Sequence, residues 1–245
     1  MVVPLARAKS LPNLRIMPLG DSITKGNGDP DGNGYRQKVR GKILDLGSAV
    51  DMIGSLQSGK MLDNDHEGHS GEYLAGIRDS IQLSIRAQPN VVLVHAGTNN
   101  MDKEVQLPIA HDLIEEIIDL LFQGSPDTAV LVAPVIWAND DRMNNNTEAF
   151  NKKLARIVEQ KQNEEKHILS VPIDIGPDDL SDKKHPNVNG YVKMATAWFN
   201  AIVDANDRGW IGPPTKVDPA KLPGMGLGYN NTSPGGKPLR RVDSL

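Results

Sequence analysis

Short apolar runs alternate along the chain with longer segments in which apolar residues recur every three or four positions. The short runs are typical of buried strands, and they fall at residues 15–19, 49–56, 90–97, 128–137 and 167–174. The longer segments predict helices at residues 34–47, 73–88, 107–124, 147–165 and 188–206. Because parallel neighbours need crossover connections that cover both sheet faces, this alternation predicts a mostly parallel sheet between helices. We therefore expect one α/β domain with a sheet of about five strands.

The periodic pattern stops near Trp210. From there to residue 245 the chain is rich in proline and glycine and shows no repeat, which is typical of a tail or linker. We expect an N-terminal extension at residues 1–13, a folded domain at residues 14–209 and a tail or linker at residues 210–245. That last segment either packs along the domain or leads to a further one.

Composition and charge narrow the class of protein. Among 245 residues, 38% are hydrophobic, 27 are Lys or Arg and 31 are Asp or Glu, which gives a net charge of −4 without a basic stripe. A nucleic-acid partner is therefore not expected. The absence of cysteine excludes disulfides, thiolate metal sites and a cysteine nucleophile. No apolar run approaches the roughly 18 residues of a membrane-spanning helix, and the apolar core of the first ten residues is too short for a signal peptide.

Polar residues follow four of the predicted strands at the edge of the sheet where ligands bind. In an open parallel sheet, that edge is formed by the carboxyl ends of the strands. One hydroxyl follows the first strand, a Ser-Gly pair the second, an amide the third, and a carboxylate with an imidazole the fifth. In chain order these residues are Ser22, Ser70, Gly71, Asn99, Asp182 and His185.

These side chains have the chemistry of acyl transfer. A serine nucleophile needs a base, and the base needs an acceptor on its other ring nitrogen. Asp182 and His185 are three residues apart, just before a predicted helix, so they can meet on one loop. The backbone N–H groups of Ser22 and Gly71 and the amide of Asn99 can supply donors to an oxyanion. Each residue also has an ordinary interpretation as a cap, turn or surface residue, so it is their joint placement that favours a catalytic site.

Four sequence blocks resemble those of the SGNH hydrolase superfamily, also called GDSL-type esterases and lipases. The blocks are GDSIT (20–24), Ser-Gly (70–71), GTNN (97–100) and DKKHP (182–186), within a match that spans residues 14–206. The resemblance implies a flavodoxin-like, three-layer α/β/α fold and an esterase mechanism. It implies Ser22 as nucleophile, His185 as base and Asp182 as the partner of His185. It also implies that Ser22, Gly71 and Asn99 form the oxyanion hole. The neighbouring Asp179 stays open as an alternative partner of His185, independently of the resemblance.

The wider context is similar to carbohydrate esterase family 3, whose members resemble acetyl xylan esterases. The similar segments are RIMPLGDSIT (15–24), GYR (34–36), VDMIGS (50–55) and DHEGHSG (65–71). The resemblance implies a small ester or an acetylated polysaccharide such as xylan as substrate. It favours a secreted protein, with a cytoplasmic location still open. In the third block Asn100 replaces the usual Asp, at a position that is structural in the family.

Three other segments match cofactor or metal motifs incompletely. Residues 54–61 lack the Ser or Thr that holds magnesium in a phosphate-binding loop. Residues 29–34 begin like a calcium loop, but its twelfth position falls on Arg40. The histidines of HEGH, at residues 66–69, are one residue too close for a zincin. We therefore expect no cofactor and no catalytic metal, with a weak cation at residues 29–34 left open.

Two other functions stay open from the sequence. One is a lipase-, lysophospholipase- or thioesterase-like hydrolase that acts on longer acyl chains. The aromatic content of 4% and the lack of an obvious apolar lid argue against this function. The other is a carbohydrate-binding module that has the fold without catalysis. The presence of Ser22, Asp182 and His185 together favours an enzyme.

Overall fold

The sheet is built around strand β1 (Leu14–Gly20), which is buried along its whole length. The structure is a computed structural model that describes residues 10–218. Residues 1–9 and 219–245, which hold most of the predicted N-terminal extension and tail, lie outside the described residues. The domain boundaries at residues 14 and 209 therefore stay predictions.

Parallel strands flank β1 on both sides. On one side β2 (Val50–Met52) pairs with the beginning of β1 and β4 (Asp65–Gly68) with its end. On the other side β5 (Val91–His95), β6 (Ala129–Val132) and β7 (Ile168–Ser170) follow in that order. A two-residue strand, β3 (Leu56–Gln57), pairs antiparallel with β4. The predicted sheet of about five parallel strands is confirmed, with β2 and β4 sharing one position.

Seven α-helices connect or flank these strands within residues 10–218. They are α1 (Ser22–Lys25), α2 (Gly34–Asp45), α3 (Leu74–Ser84), α4 (Thr98–Lys103), α5 (Ala110–Gly124), α6 (Asp141–Asn163) and α7 (Val188–Asp207). Three short 3₁₀ turns lie at Ile85–Ala87, Leu107–Ile109 and Pro177–Asp179. Helix α6 begins six residues before its predicted start at residue 147, because the carboxylate of Asp140 caps it by accepting the N–H of Met143 at 2.8 Å.

Two apolar clusters, one on each face of the sheet, make the three layers. Alternate residues of β1 face opposite sides, so Met17 packs with α3, α5 and α6 while Ile16 packs with α2 and α7. Each fully buried side chain of this size contributes about 1.5–3 kcal/mol to the free energy of unfolding. The predicted α/β/α sandwich is confirmed.

The strand register aligns three loops at the carboxyl edge of the sheet. Gly20, the last residue of β1, lies opposite Gly68 of β4 and His95 of β5. A Cβ atom on Gly20 would lie 2.0 Å from the carbonyl oxygen of His95, so only glycine fits there. The loops that follow β1, β4 and β5 therefore start side by side.

The first residues of the predicted tail pack against the domain. The Trp210 ring stacks on His167 with centroids 5.1 Å apart, and Ile211 is buried. Farther along, the carbonyls of Gly212 and Thr215 accept hydrogen bonds from Asn90 and Arg15. Within the described range, no helix is both long and apolar enough to cross a membrane.

Candidate active site

Ser22 is presented by a sharp turn at the end of β1. It is the first residue of the four-residue helix α1, which is capped by Asp21 through a 3.0 Å bond from the N–H of Ile23. The helix ends at Gly26, whose φ of +108° favours glycine. Ser22 is 3% exposed, so its hydroxyl lies in a sheltered position at the edge of the sheet.

A continuous chain of hydrogen bonds joins Ser22, His185 and Asp182. The Ser22 Oγ atom lies 2.8 Å from His185 Nε2, and His185 Nδ1 lies 2.7 Å from Asp182 Oδ2. When Nδ1 carries the proton and donates a hydrogen bond to the carboxylate, Nε2 is free to accept a hydrogen bond from the serine hydroxyl. This is the arrangement in which imidazole can remove a proton from serine.

The Asp182 carboxylate is held in its charged form. Burial raises its pKa, but hydrogen bonds from the backbone N–H groups of Lys184 and His185 and from the His185 ring outweigh burial and lower the pKa below its usual value. Asp182 is therefore ionised at neutral pH and can stabilise a positively charged imidazole. The alternative partner, Asp179, is engaged elsewhere, with Lys193 Nζ at 2.6 Å and the N–H of Gly176 at 2.9 Å.

Helix α7 holds the Ser22 turn against the loop that contains His185. The Tyr191 hydroxyl lies 3.1 Å from the carbonyl oxygen of Ile23 and 2.6 Å from that of Asn27, which both belong to the Ser22 turn. A Cβ atom on Gly28 would lie 2.4 Å from the carbonyl oxygen of Pro186, so the loops also touch directly. The Tyr191 hydroxyl and this close approach thus hold the Ser22 turn against the loop that contains His185.

Gly71 lies on the loop that follows β4, and Asn99 lies in the first turn of α4, which follows β5. Gly71, with a φ of +86°, is in a turn closed by a 3.1 Å bond from the N–H of Glu72 to the carbonyl of His69. The Asn99 amide nitrogen donates to the carbonyl of Glu72 at 2.9 Å, which ties α4 to that turn. The Ser22 N–H lies at the first position of α1, where a helix offers no internal acceptor. All three predicted oxyanion donors therefore lie on the segments that follow β1, β4 and β5 at the carboxyl edge of the sheet.

Asn100 is buried and uses both ends of its amide. Its Oδ1 accepts the N–H of Leu74 at 2.9 Å, and its Nδ2 donates to the carbonyl of Val105 at 3.0 Å and to Gln106 Oε1 at 3.2 Å. It fastens the start of α3 to the end of α4. The structural role expected at this position agrees with these contacts, which also show why an amide suits it.

The histidines of the HEGH segment have partners inside the protein. His66 is buried, accepts the N–H of Gly68 at 2.8 Å and lies 2.6 Å from Ser58 Oγ. His69 lies 2.7 Å from Glu67 Oε2, and Glu67 also accepts the N–H of Ser55 at 2.6 Å. These bonds fix the strand that leads to the Gly71 turn.

The carboxylates of residues 29–34 are likewise engaged. Asp29 Oδ2 accepts the N–H groups of Asn33 at 3.0 Å and Gly34 at 2.8 Å, and Asp31 pairs with Lys60 at 2.8 Å. In the part of the chain that the structure describes, no group of three or more His, Asp or Glu side chains is arranged to hold a metal ion.

Sequence reasoning missed a charged cluster beside the site. Asp102 of α4 is 2% exposed in its side chain and accepts hydrogen bonds from Lys183 and, at 2.9 Å, from Lys184. Lys183 also lies 3.2 Å from Asp140, and the N–H of Asn139 donates to the Lys183 carbonyl at 2.8 Å. The adjacent lysines before His185 were the available signal, but their partner is about 80 residues away in the chain.

Comparison with known proteins identifies the class to which this fold and site belong. The model of the GDSL-like Lipase/Acylhydrolase family matches residues 19–193. The chain belongs to this family and is a carboxylic ester hydrolase of the GDSL type, as the sequence blocks had indicated.

Individual relatives include carbohydrate esterases. A multidomain esterase from Ruminococcus flavefaciens is 27% identical over 225 residues, which cover 77% of this chain and 28% of that protein. The chain thus spans less than a third of the length of this relative. The family 3 carbohydrate esterase of Clostridium thermocellum is 28% identical, with a TM-score of 0.69 over 82% of this chain and 100% of that one. A family 3 carbohydrate esterase from Talaromyces cellulolyticus, 24% identical, has a TM-score of 0.69 over 79% of this chain and 99% of that one, which shows the shared fold.

Proposed function

We propose that this chain is a serine esterase that removes acetyl groups from a polysaccharide such as xylan. Ser22 is the nucleophile, His185 the base and Asp182 its partner, and Ser22, Gly71 and Asn99 form the oxyanion hole. The single observation that supports this most strongly is the hydrogen-bonded chain from Ser22 Oγ through His185 to Asp182.

The proposed first half-reaction follows from these contacts. Ser22 Oγ attacks the ester carbonyl carbon while His185 Nε2 takes the hydroxyl proton, and Asp182 stabilises the resulting imidazolium. The N–H groups of Ser22, Gly71 and Asn99 bind the negative oxygen of the tetrahedral intermediate. As the intermediate collapses, His185 returns the proton to the departing sugar oxygen, and the acyl group stays on Ser22.

The second half-reaction restores the enzyme. His185 removes a proton from a water molecule, which attacks the acyl carbon, and the same three donors bind the second oxyanion. The proton then passes from His185 back to Ser22 Oγ as acetate leaves. No step needs a cofactor, because the nucleophile, base and donors all come from the chain.

One observation favours a short acyl group, and a second favours a carbohydrate ester. Polar side chains lie on the segments beside Ser22, among them Asn27 and Asn99, and Asn99 Nδ2 donates to the Glu72 carbonyl at 2.9 Å. A longer acyl chain gains about 0.8 kcal/mol per methylene only where it is buried against apolar surface. The similarity to the 28% identical family 3 carbohydrate esterase supports a carbohydrate ester as the substrate.

Hydrolysis of para-nitrophenyl acetate and para-nitrophenyl octanoate, with acetate release from acetylated xylan, tests this proposal. We expect the wild type to cleave the acetate ester faster and to release acetate from xylan, and Ser22→Ala to lose both activities. Ser70→Ala, which removes a nearby exposed hydroxyl, is the matched control and should keep both.

The other outcomes separate the alternatives. Preference for octanoate with no acetate from xylan would overturn the substrate and indicate a lipase- or thioesterase-like enzyme. A wild type that cleaves no ester but binds xylan would indicate a carbohydrate-binding module.

A further inference from the structure

Lys184 joins the loop of the proposed base to the residue of the proposed oxyanion hole. Its side chain is 14% exposed, and its Nζ atom lies 3.0 Å from Asn99 Oδ1 and 2.9 Å from Asp102 Oδ2. Lys184 immediately precedes His185 in the chain. One ammonium group therefore bridges the acid–base loop and helix α4.

The contacts of Asn99 determine which way its amide faces. Oδ1 faces the Lys184 ammonium, which can only donate, and Nδ2 faces the Glu72 carbonyl, which can only accept. A flipped amide would set its NH₂ group against the ammonium and its oxygen against the carbonyl, so both contacts would become repulsive. Nδ2 has a second N–H, and this orientation keeps it available to a substrate oxygen.

We propose that Lys184 is a positioning residue that holds the Asn99 amide as an oxyanion donor, an inference that rests on the proposed function. The positive charge of the Lys184 ammonium, next to Oδ1, also polarises the amide, which strengthens its N–H as a donor. Lys184 acts through Asn99 and does not itself touch the ester.

Lys183 provides a matched comparison. It too forms an ion pair with the buried carboxylate of Asp102, but its second contact is with Asp140 rather than with Asn99. Loss of either lysine removes one cation from Asp102, so both losses should lower stability. Only the loss of Lys184 should release the amide.

Steady-state hydrolysis of para-nitrophenyl acetate by Lys184→Met and Lys183→Met, each in the wild type and in Asn99→Ala, tests the inference. Ser22→Ala sets the background rate, and thermal unfolding is measured for every variant. We expect Asn99→Ala to lower kcat by about 10²-fold, as for the loss of one oxyanion donor. Lys184→Met should lower kcat about tenfold with little change in KM, and should have almost no further effect when Asn99 is already alanine.

The control separates positioning from stability. Lys183→Met should lower Tm by an amount comparable to Lys184→Met while changing kcat by less than about threefold. Lys184→Arg, which keeps a cation within reach of Asn99 Oδ1, should recover most of kcat. If Lys184→Met does not fold, Lys184→Gln is compared in the same way.

Two results would overturn the inference. One is a Lys184 effect of equal size in the wild type and in Asn99→Ala, and the other is a kcat loss in Lys183→Met as large as in Lys184→Met. Either would make Lys184 a loop anchor only. Both comparisons require that the wild type is active and that Ser22→Ala is inactive. If these two proteins have the same activity, the proposed function fails and this inference fails with it.

Discussion

One carboxylate, that of Asp182, binds both the ring and the backbone of His185. Its Oδ2 lies 2.7 Å from His185 Nδ1, and its Oδ1 accepts the His185 backbone N–H at 2.8 Å. Asp182 therefore orients the ring of His185 and also holds the His185 backbone in place. This local arrangement needs only residues 182–185, while the contact with Ser22 comes from the packing of α7 on the Ser22 turn.

Asp182→Asn is expected to lower kcat by about 10²- to 10⁴-fold, because an amide at this position no longer favours the tautomer in which His185 Nε2 accepts a proton. Steady-state kinetics with para-nitrophenyl acetate measures the loss. Asp179→Asn is the matched control; it loses its ion pair with Lys193 and should keep kcat close to that of the wild type. A mild loss in Asp182→Asn together with a severe loss in Asp179→Asn would make Asp179 the partner of His185.

Asn100→Asp, which restores the residue that is usual in this sequence block, is expected to destabilise this chain. An aspartate still accepts the N–H of Leu74, but its other oxygen would face the carbonyl of Val105, where Asn100 Nδ2 now donates. We expect the free energy of unfolding to fall by about 1–3 kcal/mol. Urea unfolding measures the change, with Gln106→Ala as a control that removes only a partly exposed partner. Equal or greater stability of Asn100→Asp would show that the bonds donated by Asn100 Nδ2 do not stabilise the fold.

Asp102 should make stability depend on pH in the acid range. Burial alone raises its pKa, but hydrogen bonds from Lys183 and Lys184 outweigh burial and hold the pKa well below its usual value. Because the folded pKa is lowered, the stabilising effect is complete above the unfolded pKa of about 4 and is lost as the pH falls toward the folded pKa.

We therefore expect the difference in Tm between the wild type and Asp102→Asn to be largest near neutral pH and to shrink below about pH 4. Thermal unfolding of both proteins over a pH series measures it, and taking the difference removes groups that titrate alike in both. A constant difference from pH 7 to pH 3 would show that the charge of Asp102 does not stabilise the fold.

The sequence predicted the strands and long helices of this fold because their apolar residues recur with clear periods. It missed β4 (Asp65–Gly68), whose polar side chains are buried and satisfied by hydrogen bonds, so no apolar alternation marks the strand. It also missed α1 and α4, which have four and six residues and too few turns to show a helical period. The early start of α6 depends on the cap at Asp140.

The site was predictable where one sequence block contains the chemistry. Ser22, His185 and Asp182 were chosen from such blocks, and the structure places them within hydrogen-bonding distance, although their catalytic roles stay predictions. The contact of Lys184 with Asn99 could not be predicted in this way. Lys184 is more than 80 residues away in the chain from both Asn99 and Asp102, and only the shared edge of the sheet brings them together.

Labelling with a fluorophosphonate probe, followed by mass spectrometry of the modified peptide, tests directly whether Ser22 is the nucleophile. Such a probe reacts with a serine that a neighbouring base activates. We expect one adduct on the peptide that contains Ser22, unchanged labelling of Ser70→Ala and no labelling of Ser22→Ala. Labelling of Ser22→Ala as complete as that of the wild type, or an active wild type whose adduct lies on another serine, would show that Ser22 is not the nucleophile.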